Sequence, residues 1–593
     1  MPRPLTFGNS SVHVGIDDRC QIRDLHAAPP GGHLENHLNG HPIRLGFWTP
    51  GGFAWTTDPR WVITMGREGP MGTTRLRHEG LGIDVAVRDT LRGSVLTRRF
   101  EFAKGGEVRL FTSHDLRLSE SDVGDTALYH AGLDALVHYK GRIWVGFAAR
   151  SAGGGLAGFA TGLKAFDGHE GTWRDAEDGL LEGKPISQGS VDSTLMVRLE
   201  SAEGQWVEWK MAVAHSQSEL EELLADLPPT NDRRPTTHTL FDASLDQIEA
   251  HTHGRGAILA AMDSDIMATN RATYTYVWPR DGALVAWALD RAGRHEQARG
   301  FFEFAASLVE SDGPRLFQKY HTDGSLGASW HPWTKGARPH QGDQLPLVLH
   351  ALALHPSPVW HEATVRKAAE FLVKDRDART GLPLPSYDLW EERLGTHTFT
   401  VAAAIAGLRG AARLLGDSGF DAAADEMTAS LEQHLVNRDT GTLLRGLDTR
   451  GTPDATPDAS LLLVPLLGVL PFEHPAIAAT VPWLEERLWV HSEVGGLARY
   501  PGDYYFRRSD AYPGNPWVIT TLWLARCLCR LPGRFSRAEQ LVGWAAARAS
   551  DTCTLPEQVH PESGEVMGVS PLTWSHAEFV HATLDLRLAP SDA

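Results

Sequence analysis

The segment SYDLWEERLGTHTFTVAAAIAGL, residues 386–408, joins a cluster of acids and aromatic rings to a run that is apolar almost all round. A helix without a polar face is buried on every side, so this run predicts an inner helix of a helical assembly. The acids Asp388, Glu391 and Glu392 precede it. They fit either a solvated helix N-terminus, with acids placed favourably against the helix dipole, or a site where burial beside Trp390 raises a carboxyl pKa into the range of a general acid.

Similar apolar helices recur through the second part of the chain, in steps of roughly 55 to 63 residues. They are predicted to begin near Trp278, Gln341, His397, Asp458, Asn515 and Ser570. Amphipathic partners are predicted at His295–Val309, Ala363–Val373, Ala422–Leu435 and Ala538–Ala549. Asn515-Pro516 and Ser570-Pro571 are interpreted as an N-cap followed by proline at the first helical position. Six inner helices sheathed by about six outer ones predict an (α/α)6 barrel.

The first part of the chain, to about residue 225, has a different pattern. Short runs that alternate between apolar and polar residues, such as IDVAVR from Ile83, are separated by Gly, Asp and Asn turns and predict antiparallel strands. Many such strands make a β-sandwich. The polar, proline-rich segment from Leu227 is typical of a linker. We therefore expect an N-terminal antiparallel β-sandwich over residues 1–226, a linker over 227–240 and an (α/α)6 barrel catalytic domain over 241–593.

Composition limits the classes of partner. A chain of 593 residues is too long for one ordinary core, and 42% hydrophobic with 22% charged residues indicates a soluble globular protein. The net charge of −18 and the lack of a basic run argue against a nucleic-acid partner. No signal-peptide pattern and no run of 18 apolar residues is present, so no membrane association and a cytoplasmic location are expected. Oligomeric state is left open.

The loops that lead into the predicted inner helices carry Arg280 and Asp281, Glu391, Arg499, and Glu557. Acids, arginines and aromatic rings at one concave end suit a polyhydroxylated ligand. Glycoside hydrolysis needs one carboxylic acid to protonate the leaving oxygen and one carboxylate to attack or to activate water. Glu391 and Glu557, on opposite sides of the ring, predict the wider separation of roughly 6.5–9.5 Å that accompanies inversion.

Four motifs follow one another along the chain: YVWPRDG from Tyr276, YDLWEE from Tyr387, RYPGD from Arg499 with GNPW from Gly514, and PEQ from Pro556 with LTWS from Leu572. In this order they resemble the motifs of glycoside hydrolase family 15, the glucoamylase family, which includes bacterial glucoamylase, glucodextranase and trehalase relatives. The resemblance covers nearly the whole helical half, and bacterial members of the family also carry a preceding β-sandwich.

The resemblance implies an exo-acting enzyme that removes terminal glucose from α-glucosides with inversion, releasing β-glucose, with no cofactor and no metal for the chemistry. It implies that Glu391 is the general acid and Glu557 the general base. Further residues are implied in substrate binding. They are Arg280 and Asp281 at the non-reducing terminal glucose, Glu392 and Arg499 at or beyond the scissile bond, and Tyr276, Trp278, Asp388, Trp390 and Trp574 around the pocket.

One segment departs from the family pattern. Bacterial relatives usually read Gln-x-Asp-x-x-Gly, whereas this chain reads QGDQLP from Gln341, preceded by WHPWTKG from Trp330. Gln341 and Asp343 still match, but the neighbouring residues are expected to shape the leaving-group subsite. Linkage preference therefore stays open among maltooligosaccharides, isomaltooligosaccharides and trehalose. Two other classes remain as alternatives: an α-glucoside phosphorylase, which replaces the base with a phosphate site, and a non-catalytic sugar-binding protein.

Overall fold

The computed structural model describes residues 3–164, 171–225, 239–254, 256–267, 273–329, 331 and 341–589. The chain divides into two compact units. Unit 1 comprises Met1–Thr239, Met262–Thr273 and Ser550–Cys553, and unit 2 comprises Leu240–Ala261, Tyr274–Ala549 and Thr554–Ala593. Two short segments from within the predicted barrel domain, Met262–Thr273 and Ser550–Cys553, thus belong to unit 1, which the sequence pattern did not indicate. The predicted linker, up to residue 238, lies outside the described residues.

Unit 1 is built from short strands. They are β1 (Leu5–Gly8), β2 (Val12–Ile16), β3 (Ile22–Ala27), β4 (Glu35–Asn36), β5 (Ile43–Thr49), β6 (Gly52–Trp55), β7 (Val62–Glu68), β8 (Met71–His78), β9 (Ile83–Arg92), β10 (Val95–Lys104), β11 (Val108–His114), β12 (Asp125–His130), β13 (Ala135–Lys140), β14 (Ile143–Ser151), β15 (Gly158–Leu163), β16 (Ile186–Gly189), β17 (Val191–Leu199) and β18 (Trp206–Ala214), with helices α1 (Thr172–Asp175) and α2 (Gln217–Ala225).

These strands form two antiparallel sheets. One has the order β1-β2-β3-β5-β11-β17-β15, with β4 paired to β3 and β6 to β5, and the other has the order β16-β12-β13-β14-β18-β10-β9-β8-β7. Both sheets contribute to one buried core, which includes Phe47 from the first sheet and Phe100 from the second. The indole Nε1 of buried Trp209 donates to Thr112 Oγ1 at 3.0 Å, from β18 to β11. The N-terminal part is therefore a pair of large antiparallel sheets, as the alternating runs predict.

Unit 2 is mainly helical. Its helices are α3 (Leu240–Ala250), α4 (Pro279–Arg291), α5 (His295–Asp312), α6 (Gln344–Leu354), α7 (Glu362–Lys374), α8 (Thr398–Leu415), α9 (Ser418–Leu435), α10 (Leu463–Leu466, which continues a 3-10 turn at Ala459–Leu462), α11 (Pro475–Leu488), α12 (Val518–Leu528), α13 (Phe535–Ala546) and α14 (Thr573–Leu588). Short strands form two small sheets, β19 (Ser386–Tyr387), β20 (Leu394–His397), β21 (Gly446–Asp448) and β22 (Pro453–Asp454) in one, and β23 (Gln558–Val559) and β24 (Val566–Met567) in the other.

Within the described part of unit 2, six helices contact one another in a closed cycle, α4, α6, α8, α10, α12 and α14, with α14 returning to α4. Each packs with one amphipathic neighbour: α5, α7, α9, α11 (through the 3-10 turn before α10), α13 and α3, respectively. The last neighbour, α3, precedes the ring in sequence, so the helix that covers α14 comes from the start of the unit. The contacts are consistent with the predicted (α/α)6 barrel.

Three predicted helix starts are wrong. Helix α6 begins at Gln344, α12 at Val518 and α14 at Thr573, each three residues after its predicted start. Asn515 is not a cap, because its side-chain amide donates to Gln558 Oε1 at 2.8 Å and to the Phe506 carbonyl at 2.9 Å. Trp517 instead forms isolated bridges with Leu497 and Gln558, so the chain is extended up to the helix.

Among the described residues, one helix, α8, is long and apolar enough to cross a membrane, judged by length and composition alone. In the folded unit 78% of that apolar window is buried. Its apolar surface is therefore covered by neighbouring helices, which is how the core helix of a helical bundle is accommodated.

Two glycines let α8 approach α6 closely. A Cβ atom added at Gly407 would lie 2.7 Å from the Pro346 carbonyl oxygen, and one at Gly410 would lie 2.9 Å from the Leu349 carbonyl oxygen. Both neighbours are backbone atoms of α6, so a side chain at either position would require the helices to separate. The spacing of three residues places the two glycines on one face of α8.

We expect Gly407→Ala to lower the free energy of unfolding by about 1–3 kcal/mol, because overpacking outweighs the gain of about 1 kcal/mol from better helix propensity. The matched control is Gly543→Ala in α13, where an added Cβ meets no atom within 4 Å. That substitution should raise the thermal midpoint measured by calorimetry. An increase in both variants would contradict the packing argument.

Candidate active site

The hairpin between β19 and β20 presents Glu391 through a turn built by Asp388. One Asp388 carboxylate oxygen accepts the backbone N–H of Glu392 at 2.8 Å and that of Arg393 at 3.2 Å. The N–H of Glu391 donates to the Asp388 carbonyl at 3.0 Å. Within this turn Glu391 has φ +65°, a left-handed conformation that a glutamate rarely adopts. The turn therefore fixes the direction of the Glu391 side chain at a cost in backbone strain.

The carboxylate of Glu391 accepts hydrogen bonds from two sides. Trp278 Nε1 donates to Oε1 at 2.7 Å, and the Gln318 side-chain amide donates to Oε2. Arg280 NH2 lies 3.5 Å from Oε1. Burial raises the pKa of Glu391 above that of a free glutamate, and the nearby Arg280 and Lys319 charges oppose this rise.

Glu557 lies immediately before β23 and is 3% exposed. Its backbone N–H donates to the Val569 carbonyl at 3.0 Å, and Tyr274 OH donates to Oε1 at 3.2 Å. The Tyr274 hydroxyl also lies 2.7 Å from the hydroxyl of Tyr505. Burial raises the pKa of Glu557 to about 7.

The second carboxylate oxygen of Glu557 rests against Gly568. A Cβ atom added to Gly568 would lie 2.0 Å from Oε2 of Glu557, and Gly568 has φ +70°. This oxygen makes no hydrogen bond with the described residues. The bare Cα of Gly568 thus provides the space in which this carboxylate is held.

The two glutamates are linked through one short segment. Tyr274 donates to Glu557, Trp278 donates to Glu391, and the two rings lie 5.7 Å apart between centroids. The carboxylates are therefore held at opposite ends of an aromatic pair and do not hydrogen-bond each other. Both acids are oriented by the strand-like segment that leads into α4.

Arg280 and Asp281 begin α4 beside Glu391. Arg280 Nε donates to Asp281 Oδ1 at 2.9 Å, and Arg280 NH1 lies 3.7 Å from Asp343 Oδ2. Burial raises the pKa values of Asp281 and Asp343 to about 6 each. Arg280 NH1 and both Asp343 carboxylate oxygens are buried and make no hydrogen bond with the described residues. The Arg280 guanidinium and the Asp343 carboxylate therefore lie side by side without a direct hydrogen bond between them.

A second charged cluster surrounds Glu392. Arg499 NH2 donates to Glu392 Oε1 at 3.2 Å, and the Tyr500 hydroxyl donates to Oε2. Arg499 is fixed by two hydrogen bonds to Asp503, at 2.7 and 2.6 Å. Arg393 NH1 donates to Glu392 Oε2 at 2.8 Å. Burial raises the pKa of Glu392, and the Arg499 charge opposes this.

Lys319 adds a buried cation beside Glu391. Its Nζ lies 4.5 Å from the Tyr276 ring centroid and 5.1 Å from that of Trp278. Burial lowers the pKa of Lys319 to about 8, and the charge of Glu391 opposes this. A lysine held against two ring faces contributes positive potential next to the carboxylate.

Trp390 and Trp574 lie behind the charged side chains. Trp390 Nε1 donates to Asp458 at 3.1 Å, and the Arg499 guanidinium lies 4.9 Å from its ring centroid. Trp574 Nε1 donates to Glu578 Oε1 at 3.1 Å, and Arg280 lies 5.6 Å from the Trp574 ring. Both indoles are at most 9% exposed. Each indole therefore packs against one of the two arginines and exposes little of its ring to a ligand.

All the residues predicted for the site thus lie in one connected cluster of unit 2, with Asp388 shaping the turn through its backbone contacts. Sequence reasoning missed Gln318 and Lys319, which follow α5 in a segment without periodicity. That segment reaches the site because Tyr320 forms an isolated bridge with Val277. Tyr505 follows the RYPGD motif by two residues, but nothing in the sequence indicated its contact with Tyr274. Trp330 lies outside the described residues.

His331 is described and closes the site beside the Glu391 turn. Its ring stacks on Tyr387 with centroids 3.7 Å apart, and its Nε2 lies 3.1 Å from the Glu391 carbonyl oxygen. Burial lowers the pKa of His331 to about 4, so the ring is neutral at pH 7 and can donate to this carbonyl. Among the described residues, the grouping of potential metal ligands, Asp290, His295 and His355, lies elsewhere, at the C-terminal end of α4.

Comparison with known proteins agrees with this geometry. Residues 379–548 match the model of glycosyl hydrolases family 15. An uncharacterized glycosyl hydrolase of Methanocaldococcus jannaschii is 29% identical over 336 residues, 52% of this chain and 50% of that protein. A trehalase of Mycobacterium tuberculosis is 27% identical over 378 residues, 57% of this chain and 52% of that protein. The chain spans about half the length of the curated relatives it matches.

Among solved structures, a bacterial glucoamylase complexed with acarbose superposes with a TM-score of 0.78 at 17% sequence identity, over 99% of this chain and 94% of that one. At this identity the likeness concerns the fold, both the paired antiparallel sheets and the helical unit. The motif carrying Glu391 and the one carrying Arg499 both lie within the region that the family model matches. Over residues 379–548 the chain is therefore similar to glycosyl hydrolases family 15.

Proposed function

We propose that the protein is an exo-acting, inverting α-glucosidase built on an (α/α)6 barrel. Its substrates are short α-glucosides, either maltooligosaccharides or isomaltooligosaccharides, from which it removes the non-reducing terminal glucose as β-glucose. The observation that carries the proposal is the pair of buried carboxylates, Glu391 and Glu557, held apart by donors from Trp278 and Tyr274.

In this reaction Glu391 is the general acid and Glu557 the general base. Glu391 gives its proton to the glycosidic oxygen as the bond from the anomeric carbon to that oxygen breaks. Glu557 accepts a proton from a water molecule, whose oxygen forms the new bond to the opposite face of the anomeric carbon. The configuration is therefore inverted, and exchange of protons with solvent restores both carboxyl groups.

The polar groups on the two sides of the Glu391–Glu557 pair indicate where the terminal glucose and the leaving sugar bind. Arg280 and Asp343 offer a donor and acceptors that are buried and not bonded to each other, which suits hydroxyl groups of the terminal glucose. On the other side, Arg499 and Glu392 form a largely buried ion pair suited to the leaving sugar. Lys319 and Arg280 place positive charge at Glu391, which stabilises the carboxylate that forms when the proton leaves.

A trehalase of the same family is the second candidate. The curated relatives include trehalases from Mycobacterium tuberculosis and from Mycolicibacterium smegmatis, at 27% and 26% identity. Trehalose hydrolysis uses the same acid and base, and differs in the leaving group, which is a second glucose linked through its own anomeric oxygen. Of the segment 330–344, expected to shape the leaving-group subsite, residues 330 and 332–340 lie outside the described residues.

Proton NMR of the purified protein with maltose, isomaltose, dextrin and trehalose tests the proposal. We expect β-glucose as the first product, before mutarotation, and the highest rate with maltose or isomaltose. A preference for trehalose would select the trehalase alternative. The anomer is read with dextrin, where nearly all released glucose comes from the non-reducing end. Initial release of α-glucose from dextrin, or glucose release only in the presence of phosphate, would refute the proposed hydrolysis with inversion.

Glu391→Gln and Glu557→Gln should each reduce turnover by at least about 100-fold, because the first removes the proton donor and the second the proton acceptor. The amide is nearly isosteric, so thermal midpoints should stay close to that of the unmodified protein. Glu565→Gln, an exposed glutamate in the hairpin after Glu557, is the matched control and should retain full activity. Appreciable turnover in either site variant would contradict the assignment.

The pH profile of kcat/KM should report the environment of Glu557. The base must be ionised, so activity rises with pH as the Glu557 proton is lost, and the pKa raised to about 7 places this acid limb well above that of a free glutamate. The Tyr274 hydrogen bond stabilises the ionised form and lowers this pKa. Tyr274→Phe should therefore shift the acid limb upward by about 0.5–1 pH unit, the equivalent of a hydrogen bond of about 1 kcal/mol.

Tyr504→Phe is the control for that shift, because Tyr504 is 67% exposed. Its acid limb should coincide with that of the unmodified protein. An acid limb that stays in place in Tyr274→Phe, or that moves to lower pH, would show that Tyr274 does not stabilise the ionised base.

Gly568→Ala tests how tightly the base is positioned. The added Cβ would overlap Oε2 of Glu557, so the carboxylate must move, and a displacement of about 1 Å is expected to reduce kcat about 100-fold. Gly564→Ala, in the same hairpin with φ +73°, has its nearest neighbour at 3.7 Å. Both variants incur similar backbone strain, so equal loss of kcat in the two would contradict the positional argument.

A further inference from the structure

Asp290, His295 and His355 form a compact cluster at the C-terminal end of α4. One Asp290 carboxylate oxygen lies 2.9 Å from Nδ1 of His295, and both oxygens lie 2.9 Å from Nδ1 of His355. Potential ligand atoms of the three residues all lie within 4.8 Å of one another. The acid and His355 are almost fully buried, whereas the His295 side chain is 48% exposed.

The position of the cluster favours a cation. Asp290 is in the last turn of α4, and His355 directly follows the last residue of α6. Helix C-termini carry partial negative charge, and two of them meet here beside a buried carboxylate. The nearby Arg291 is directed elsewhere, since its NH2 donates to Asp585 at 2.6 Å. Among the described residues, no lysine or arginine forms an ion pair with Asp290, so the two imidazoles are its ionic partners.

We propose that this cluster is a binding site for a divalent late transition-metal ion of the Zn²⁺ class, unrelated to the glycosidase chemistry. Two imidazole nitrogens and one carboxylate oxygen are ligands that such ions prefer, whereas Mg²⁺ and Ca²⁺ select oxygen ligands. The half-exposed His295 gives an ion access from solvent and leaves room for water ligands. Binding joins the turn after α4 to the C-terminal end of α6.

The observed distances fit such an ion. Metal–ligand bonds of about 2.1 Å at right angles place two ligand atoms about 3 Å apart, and a tetrahedral angle places them about 3.4 Å apart. The two oxygen–nitrogen separations of 2.9 Å therefore match neighbouring positions of a five- or six-coordinate ion directly, and a tetrahedral ion after a shift of about 0.5 Å. For this, both imidazoles must carry their proton on Nε2 and present Nδ1 to the ion.

The competing explanation is that imidazole N–H groups satisfy Asp290 without any metal. The two explanations differ in their response to added ions. We therefore propose isothermal titration calorimetry and thermal scanning of the full chain after dialysis against EDTA, with ZnCl2 and MgCl2 as separate titrants. Zn²⁺ should bind at the cluster and raise the thermal midpoint by about 3 °C at a 100-fold excess over its Kd, whereas Mg²⁺ should not.

His295→Ala identifies the site, because this half-exposed side chain can be removed without opening the core. It should lose one equivalent of bound Zn²⁺ and the associated rise in thermal midpoint. His491→Ala, an exposed histidine in the same unit, should keep both. His295→Gln serves as a second variant of similar size should the alanine variant fold poorly.

An identical Zn²⁺ response in His295→Ala and the unmodified protein would overturn the proposal, as would no bound equivalent at all. Substrate turnover gives an independent check. Asp290 is ten residues along α4 from Arg280, or about 15 Å at 1.5 Å per residue. Treatment with EDTA should therefore leave the hydrolysis rate at 25 °C unchanged, so failure of this site and failure of the proposed function are distinguishable.

Discussion

The burial of two carboxylates at one mouth of the helical ring is the constraint on which the site depends. An isolated buried carboxylate is unstable unless hydrogen bonds and opposite charges surround it. Glu391 meets this need with Trp278, Gln318 and Arg280, and Glu557 meets it more sparingly with Tyr274. Burial raises the pKa of both carboxyl groups, to about 7 for Glu557, and the charges of Arg280 and Lys319 oppose the rise at Glu391.

The helical ring orders charge at its two ends. Inner helices begin at the mouth that holds the glutamates, so the positive ends of their dipoles lie near anionic side chains. At the other end, helix C-termini gather around Asp290, where a cation is favoured. The same helices thereby hold the buried glutamates near their N-terminal ends and Asp290 with two imidazoles near their C-terminal ends.

The features predicted correctly from the sequence are those that show a pattern among residues close together in the chain. The absence of a polar face identified the inner helices, and four motifs located both glutamates and their arginines. The predicted helix starts were less accurate. Asn515 was predicted to cap α12, but its side-chain amide donates to Gln558, which is distant in sequence. Gln318 and Lys319 carry no periodicity and reach Glu391 only through the bridge between Tyr320 and Val277. Likewise, no sequence pattern indicated that the Glu557 carboxylate lies against the Cα of Gly568.

Closure of the ring has a consequence for biosynthesis. Helix α14 packs on α3 and α4, the earliest helices of unit 2, so the ring cannot close before α14 has been synthesised. Until then the apolar helix α8 lacks part of the surrounding ring that buries it in the folded unit.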